Sequence, residues 1–302
     1  MRLRRRRRSV ALLAPARCWY ATAWPLFSSH GPSTTAPNPL ELIRRLQSGC
    51  RNVFIDLGAN IGIHSRFLFE PQRYPSERHP KTGKELHPYA AIFDSEFGRD
   101  RDLNATCAVA FEPNPQHAAR HEQLQAAYAR VGWRHIHVPT GVSDRAGSMP
   151  FHDNGGYSKT GLKNFLSFAT KRLDAGTAPP TVVPVLDFAH FLGLFRLLRP
   201  APARVLVKMD IEGVEYAVLP EVLRRGALCE HVDTISLEFH SRYAPLQVSD
   251  VSLPSVERAE RHEAAIRAAL EKAAHDPACR LKRVLYVDDE SHKMDGQPLP
   301  SK

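Results

Sequence analysis

Three apolar runs in this sequence end in residues that could bind a ligand or move a proton. The first, NVFIDLGANIG (52–62), carries Asp56, Gly58, Asn60 and Gly62 where a buried strand would turn into a helix. Glycines in such a turn let the backbone approach a ligand closely. A pyrophosphate-binding turn would read G-x-G-x-x-G, whereas this one reads G-x-N-x-G behind an acid. A carboxylate there would repel phosphate and suit a cationic ammonium or sulfonium, although an ordinary β–α turn with purely conformational glycines is the alternative.

The second run, AVAFEPNP, places Glu112 at the end of a predicted strand. A carboxylate in this position can accept two hydrogen bonds from a ribose diol. The alternative is an acid that merely favours the start of a helix through the helix dipole. Asn114 and Pro115 are the residue types expected at the N-cap and first position of that helix.

The third run, VLVKMDIEGVE, gathers Lys208, Asp210, Glu212 and Glu215 where a buried strand meets a helix. Ionised groups beside a core need a partner or a task. We expect Lys208 to pair with one of the acids, Asp210 to face a ligand cleft, and Glu215 to lie in the first turn of the helix.

A further strand, HVDTISLEFH, ends in Glu238 and His240 and adds two possible proton acceptors. For a hydroxyl nucleophile, which must lose its proton, the candidate bases in order of preference are Asp210, His240 and Glu238.

The elements around these runs alternate between strand and helix, and the strands are almost continuously apolar. This pattern predicts a doubly wound α/β fold, a mostly parallel sheet with helices on both faces. Ligands of such sheets bind at the carboxyl ends of the strands, near the point where strand order reverses. Strands are predicted at 52–57, 107–112, 134–140, 148–153, 203–210, 231–240 and 281–289, and helices at 40–49, 63–69, 115–131, 213–228 and 255–275. The stretch 182–195 is predicted to form a strand followed by a helix.

Two segments of this predicted domain lack a clear period. Residues 71–104 contain four prolines and many charges, and residues 152–181 are rich in glycine, serine and lysine. Long loops of this kind are functional covers or disordered inserts. We expect both to form a wall beside a substrate, with Tyr157, Lys159 and Lys163 available to a polar acceptor, although most such side chains are solvated.

The positive charge is confined to the amino terminus. The chain has 302 residues and a formal net charge of +9, and residues 1–36 contain seven arginines and no acid, which leaves +2 for residues 37–302. The body is therefore not predicted to bind nucleic acid. The Arg-rich leader favours an organelle transit peptide, with a secretory or Golgi signal anchor or a cytoplasmic leader as alternatives, and no stable membrane span is expected because Pro15 and Arg17 break its apolar run.

The five cysteines are scattered without a C-x-x-C pair. This argues against a zinc site and favours reduced, partly buried thiols. Asn104-Ala105-Thr106 is a glycosylation sequon, which matters only in a secretory compartment.

With these residues in hand, the chain resembles the FkbM-type family of S-adenosylmethionine-dependent methyltransferases. The resemblance rests on VFIDLGANIG, VAFEPNP, GVSDRAG, VPVLDF, VLVKMDIEGVEYAVLPEVLRRGAL and ISLEFH, which occur in this order over roughly residues 50–240. It implies a class I methyltransferase (Rossmann-like) fold, usually with seven strands of which one is antiparallel. The residues between Asp56 and Glu112 are many more than a compact β-α-β unit needs, which is a departure from the family pattern.

The resemblance also implies site residues and a cofactor. S-adenosylmethionine would lie with its methionine part against Asp56, Gly58, Asn60 and Gly62, its ribose on Glu112, its adenine near Ser143 and Asp144, and its methyl group beside Asp210. Family members commonly act on hydroxyls, so the expected reaction is O-methylation of a small molecule or sugar, without a metal. The acceptor's identity and the oligomeric state stay open.

Two other functions remain possible from the sequence. A nicotinamide-dependent oxidoreductase would have a glycine in place of Asn60 and no acid at Asp56. A non-catalytic binding or scaffold protein on the same fold would keep the fold without the reaction.

Overall fold

Strands and helices alternate along the chain, as the sequence predicts. The computed structural model describes residues 37–47, 49–76, 78, 83, 85, 87–153, 168–169, 179–241, 243–244, 255–289, 295 and 298–300. The leader 1–36 and the side chains of Tyr157, Lys159 and Lys163 lie outside these residues. The helices are α1 (Pro39–Leu46), α2 (Ile63–Phe69), α3 (Pro88–Phe97), α4 (Ala118–Arg130), α5 (Phe188–Gly193), α6 (Glu215–Arg224), α7 (Ala227–His231) and α8 (Ser255–His275). The strands are β1 (Asn52–Leu57), β2 (Thr106–Phe111), β3 (Arg134–Val138), β4 (Gly141–Ser143), β5 (Gly147–Asp153), β6 (Phe168–Ala169), β7 (Thr181–Asp187), β8 (Arg204–Met209), β9 (Thr234–Leu237) and β10 (Arg283–Tyr286).

Six of the strands form the main sheet, in the order β10-β9-β8-β1-β2-β3. Every neighbouring pair in it is parallel. From β1 the chain proceeds outward to β2 and β3, and later from β8 outward to β9 and β10. Strand order therefore reverses between β1 and β8, and this is the switch point where a doubly wound sheet opens a ligand crevice.

Both faces of this sheet are buried. In β1, Val53, Ile55 and Leu57 pack in one apolar cluster, whereas Phe54 packs in a second cluster on the opposite face. Alternate side chains of a strand point to opposite faces, so a strand that is apolar at nearly every position has helices on both sides. This is the helix–sheet–helix layering predicted from the continuous apolar runs.

A second sheet has the order β4-β7-β5-β6, and β5 is antiparallel to both of its neighbours. The family resemblance implied seven strands in one sheet, but the described residues place six in the main sheet, all parallel. Strand β4 was not predicted from the sequence, and it forms because Gly141 to Ser143 pair with Val185 to Asp187 of β7.

The insert 71–104 contains helix α3, which was not predicted. The ring of Phe93 lies 4.8 Å from that of Phe54, and the Tyr89 hydroxyl donates a hydrogen bond to Ser236 Oγ in β9 at 2.8 Å. The helix therefore covers the second face of the main sheet. Apolar positions four residues apart (Tyr89, Phe93 and Phe97) are the signal that the prolines and charges of the insert obscured.

The expectation of reduced cysteines is wrong for the four that the structure describes. Cys50 bonds to Cys107, and Cys229 bonds to Cys279, with Cα–Cα distances of 5.6 and 4.4 Å. Cys50 precedes β1 and Cys107 lies at the start of β2, where parallel pairing brings the strands together. Sequence separations of 57 and 50 residues gave no sign of this proximity.

Candidate active site

The carboxyl ends of four neighbouring strands lie side by side. Backbone hydrogen bonds continue past the strands, from Glu238 N–H to Met209 O (3.0 Å), from Asp210 N–H to Leu57 O (3.1 Å) and from Glu112 N–H to Val138 O (3.1 Å). The predicted acids are thus carried to one edge of the sheet, across the switch point.

A cleft opens at this edge. Its polar lining includes Gly58, Asn60, Glu112, Asp210 and Glu212, and its apolar lining includes Phe111, Pro113, Val142, Ile211, Val214 and the ring pair Phe151 and Phe168. The Phe151 and Phe168 rings stack with their centroids 5.2 Å apart. Three of the polar groups are carboxylates, so the cleft disfavours a phosphate and favours a cationic or hydroxyl-bearing ligand.

The G-x-N-x-G turn is fitted closely against both neighbouring strands. Gly58 has φ +78°, and a Cβ on it would lie 1.7 Å from the Asp210 carbonyl oxygen. Asn60 also has positive φ (49°), and its N–H donates to Glu112 Oε2 at 2.7 Å. Glu112 Oε1 accepts from Asn114 N–H at 2.8 Å. Each carboxylate oxygen of Glu112 keeps a further lone pair for a ligand in the cleft.

Replacing Gly58 with alanine should lower the free energy of unfolding by about 2 to 5 kcal/mol. Left-handed backbone costs a non-glycine residue about 1–2 kcal/mol, and relief of the contact with Asp210 must displace one of the two strand ends, at about 1–3 kcal/mol. Urea unfolding measures the change. Gly193→Ala is the matched control, because Gly193 has negative φ and open space around it, and it should unfold like the parent chain. A Gly58→Ala variant as stable as this control would contradict the close fit.

Beneath the turn lies a chain of histidines that sequence reasoning did not single out. His121 Nε2 donates to the Asn60 carbonyl at 2.7 Å, His135 Nε2 donates to His121 Nδ1 at 3.2 Å, and the Ser65 hydroxyl donates to His135 Nδ1 at 2.9 Å. Burial lowers the pKa of His121 to about 4 and also lowers that of His135. Both rings are therefore neutral at physiological pH, as this donor order requires, and they fix the carbonyl of Asn60.

Asp56 does not line the cleft. Its carboxylate is fully buried, 3.6 Å from Lys208 Nζ and 3.6 Å from His64 Nδ1. It stands directly opposite Lys208 in the pairing of β1 with β8. His64 Nε2 in turn lies 2.9 Å from Asp289. The expectation that Lys208 pairs with one acid therefore understates the arrangement, because this buried ammonium contacts two.

Lys208 connects Asp56 to the cleft. Its Nζ donates to Asp210 Oδ2 at 3.0 Å and to the Gly58 carbonyl at 3.1 Å. Burial alone would lower the pKa of Lys208, but Asp210 and Asp56 together raise it above its usual value. Burial would raise the pKa of Asp210, yet Lys208 and then His240 hold it below its usual value. Asp210 is thus a fixed negative charge on the cleft wall.

His240 is held by Glu215, which sequence reasoning placed only in the first helical turn. Glu215 is fully buried and accepts hydrogen bonds from His240 Nδ1 (2.9 Å), Ile211 N–H (2.9 Å) and Gly213 N–H (2.8 Å). Although burial lowers the pKa of His240, hydrogen bonds with Glu215 and Glu238 raise it to about 12. Its ring is therefore an imidazolium, with Nε2 at 3.6 Å from Asp210.

The pKa values of Glu212 and Glu238 shift in the opposite direction from that of Asp210. Burial raises the pKa of Glu212 to about 7, and burial also raises the pKa of Glu238. Glu212 lines the cleft, and its backbone has a positive φ of 54°. A carboxyl group with a pKa near neutrality is suited to general base catalysis, and the sequence analysis named Glu212 without placing it among the bases.

One set of described residues has the spacing of a metal site. Asp210, Glu212 and His240 each offer one ligand atom, and these atoms lie within 4.8 Å of one another. A divalent cation would compete with the imidazolium of His240, which already supplies a positive charge to these acids.

The remaining predicted site residues lie around the cleft rather than in its lining. Gly62 begins α2 with φ +78°, and a Cβ on it would meet Leu124 at 2.5 Å. The Ser143 hydroxyl donates to Asp144 at 3.0 Å, one residue after Val142 of the lining. The described part of the insert 71–104 contributes no lining residue.

Comparison with known proteins gives one match. A family model described as the methyltransferase FkbM domain matches residues 56–260. No curated protein and no solved structure matches the chain. Within the described residues, no helix has the length and apolar character to cross a membrane.

Proposed function

Because the chain belongs to the methyltransferase FkbM family, we propose that it transfers the methyl group of S-adenosylmethionine to a hydroxyl of a small molecule or sugar. The observation that carries this proposal is the meeting of the Gly58 turn, Glu112 and Asp210 around one cleft at the switch point. S-adenosylmethionine, when bound, supplies a methyl group activated by a sulfonium. The chain's task is then to align the donor with the acceptor and to receive a proton.

The donor set suits a cationic ligand that carries a ribose. Glu112 would accept the ribose hydroxyls through the lone pairs that Asn60 and Asn114 leave open. The Gly58 turn would bring its backbone against the methionine part, because Gly58 lines the cleft without a side chain of its own. Asp210 and Glu212 provide negative charge on the opposite wall.

Asp56 receives an indirect role in this proposal. Since it is buried against Lys208 and His64, it would position Lys208, and through it Asp210, rather than contact the donor's ammonium. Direct contact of Asp56 with the methionine part stays a prediction for a ligand-bound structure.

The adenine would lie against the apolar side of the cleft. Val142 and the stacked rings of Phe151 and Phe168 offer flat, apolar surface there. Ser143 and Asp144 follow Val142 directly and would contact the polar edge of the base, which is the role that the family resemblance implied.

The protonation states change the order of the proposed bases. Asp210, first in the sequence-based order, is held ionised with a lowered pKa by Lys208 and is a weak proton acceptor. The imidazolium of His240 has no free lone pair. Glu212, whose pKa is about 7, is the better acceptor, with Glu238 second, and Asp210 and His240 would orient the acceptor hydroxyl.

Isothermal titration calorimetry should detect binding of S-adenosylmethionine and none of NADH. Glu112→Gln should weaken that binding about 10- to 100-fold, because hydrogen bonds to a charged group are worth about 1.5–3 kcal/mol. The matched control is Glu122→Gln, an exposed acid on α4, which should bind like the parent chain. Binding of NADH instead would support an oxidoreductase.

Methyl transfer itself is tested with isotopically labelled S-adenosylmethionine and cell extract, followed by identification of the labelled product. Label on a hydroxyl oxygen supports the proposal, and label on nitrogen would replace O-methylation with N-methylation. Tight binding without any labelled product across extracts would favour the scaffold function.

A further inference from the structure

Two features of the fold lie far from the cleft and have no part in methyl transfer. They are the pair of disulfides and the sequon Asn104-Ala105-Thr106. We propose that Asn104 carries an N-linked glycan and that the chain folds in an oxidising secretory compartment. This inference does not rest on the proposed function, since a glycosylated but inactive chain would leave it intact.

The disulfides are structural rather than catalytic. All four cysteines of the described residues are bonded, and Cys50, Cys107 and Cys279 are buried. Redox-active pairs are accessible and usually close in sequence, whereas these pairs join positions 57 and 50 residues apart. Structural disulfides persist in oxidising compartments and are rare in reducing ones.

The sequon lies on an exposed turn. Asn104 is exposed in a short helical turn, Leu103–Ala105, that begins at Asp102. The Asp102 side chain accepts from Asn104 N–H at 2.9 Å, and the Asp102 carbonyl accepts from the Thr106 hydroxyl at 2.8 Å. Among the described residues, no hydrogen bond occupies the Asn104 side-chain amide nitrogen, which is the atom that a glycan would modify.

The position of Asn104 is compatible with the rest of the fold. The turn precedes β2 at the amino-terminal edge of the sheet, opposite the edge that carries the cleft, and Thr106 is followed directly by Cys107 of the first disulfide. A glycan there would extend into solvent without covering the cleft. The sequence holds no other Asn-x-Ser/Thr triplet, so any N-linked glycan must lie on Asn104.

Of the compartments that the Arg-rich leader leaves open, only the secretory lumen both oxidises cysteines and attaches N-linked glycans. The two observations are chemically independent, because one concerns thiols and the other an amide, yet they point to the same compartment. A reducing matrix or the cytoplasm would leave four free thiols and an unmodified asparagine.

The test expresses the full chain, with its own residues 1–36, in cultured animal cells. Digestion with peptide N-glycosidase should increase its electrophoretic mobility and convert Asn104 to aspartate in the peptide mass spectrum. Asn104→Gln should abolish the shift, and Thr106→Ser, which keeps a sequon, should retain it.

A second measurement does not depend on the glycan. Alkylation with iodoacetamide before reduction should leave Cys50, Cys107, Cys229 and Cys279 unmodified, both in the parent chain and in Asn104→Gln. An unmodified Asn104 in the parent chain, or alkylation of these cysteines without prior reduction, would overturn the proposal.

Discussion

Replacing Asp210 with asparagine should lower kcat for methyl transfer by about 10²-fold and raise the Kd for S-adenosylmethionine by a much smaller factor. Asparagine keeps the shape of the side chain but removes the fixed charge that Lys208 holds on the cleft wall, 3.6 Å from the imidazolium of His240. Without that charge, the acceptor hydroxyl loses its orientation in the transition state. Single-turnover kinetics with calorimetry separates the two quantities.

The control for this variant is Asp100→Asn, which changes an exposed acid and should leave kcat as it was.

The parallel variant Glu212→Gln distinguishes positioning from proton transfer. With the parent chain kcat should rise with pH through about 7, as Glu212 loses its proton, and in Glu212→Gln this rise should vanish together with most activity. Full activity in Asp210→Asn would remove Asp210 from the reaction, and an unchanged pH profile in Glu212→Gln would remove Glu212 as the base.

Lys208→Met should lower the free energy of unfolding at pH 7 by about 3 to 5 kcal/mol, because it leaves the carboxylates of Asp56 and Asp210 without their cation. Methionine has similar length and fits the apolar strand, so the loss reflects charge rather than volume. Lys282→Met is the control, since Lys282 is exposed and its Nζ donates to the backbone carbonyls of Asp276 and Cys279 rather than to a carboxylate. It should cost less than about 1 kcal/mol.

The loss of unfolding free energy in Lys208→Met should depend on pH, and the shifted pKa values predict the direction of this dependence. In the parent chain the pKa of Asp210 is held below its usual value, so its ionisation contributes stability above the unfolded-state pKa, and this stability is lost as pH falls through the folded-state pKa. In the variant, burial without Lys208 raises the pKa of the acids, so their contribution is lost as pH rises. The difference in unfolding free energy should therefore shrink from pH 8 towards pH 4. A difference that stays constant with pH would contradict the ionic explanation.

The strand ends could be predicted because parallel strands place their carboxyl ends on one edge of a sheet. This alone brings Glu112, Asp210 and Glu238 together, although Asp56 and Glu112 are far apart in sequence. Leu57 pairs with Phe111 in the parallel sheet. Asp56 and Glu112 therefore lie near each other in space, however long the segment between them is.

The orientation of Asp56 could have been predicted but was not. In β1 it shares a face with Phe54, and in β8 Lys208 shares that face with Leu206. Counting alternate residues back from the strand end would have pointed both side chains into the layer between sheet and helices, and so towards each other.

Other features could not be read from the sequence. Nothing local indicates that Cys229 and Cys279 meet, because their proximity depends on how the residues after α8 pack against α7, as in the hydrogen bond from Arg280 N–H to Cys229 O. The raised pKa of Glu212 depends on burial in the assembled cleft. Two strands of the second sheet, β4 and β6, also escaped prediction, since they have only three and two residues.

The crossover from β1 to β2 carries helix α3 at no expense to the cleft. Residues that follow α2 leave at the amino-terminal edge of the sheet, and α3 then packs on the sheet through Tyr89, which contacts Ser236 of β9, and Phe93, which contacts Phe54 of β1. Additional residues in this connection cover one face of the main sheet and do not change the edge that carries the cleft. Homologous proteins can therefore differ widely in the length of this crossover while keeping the same arrangement of ligand-facing acids.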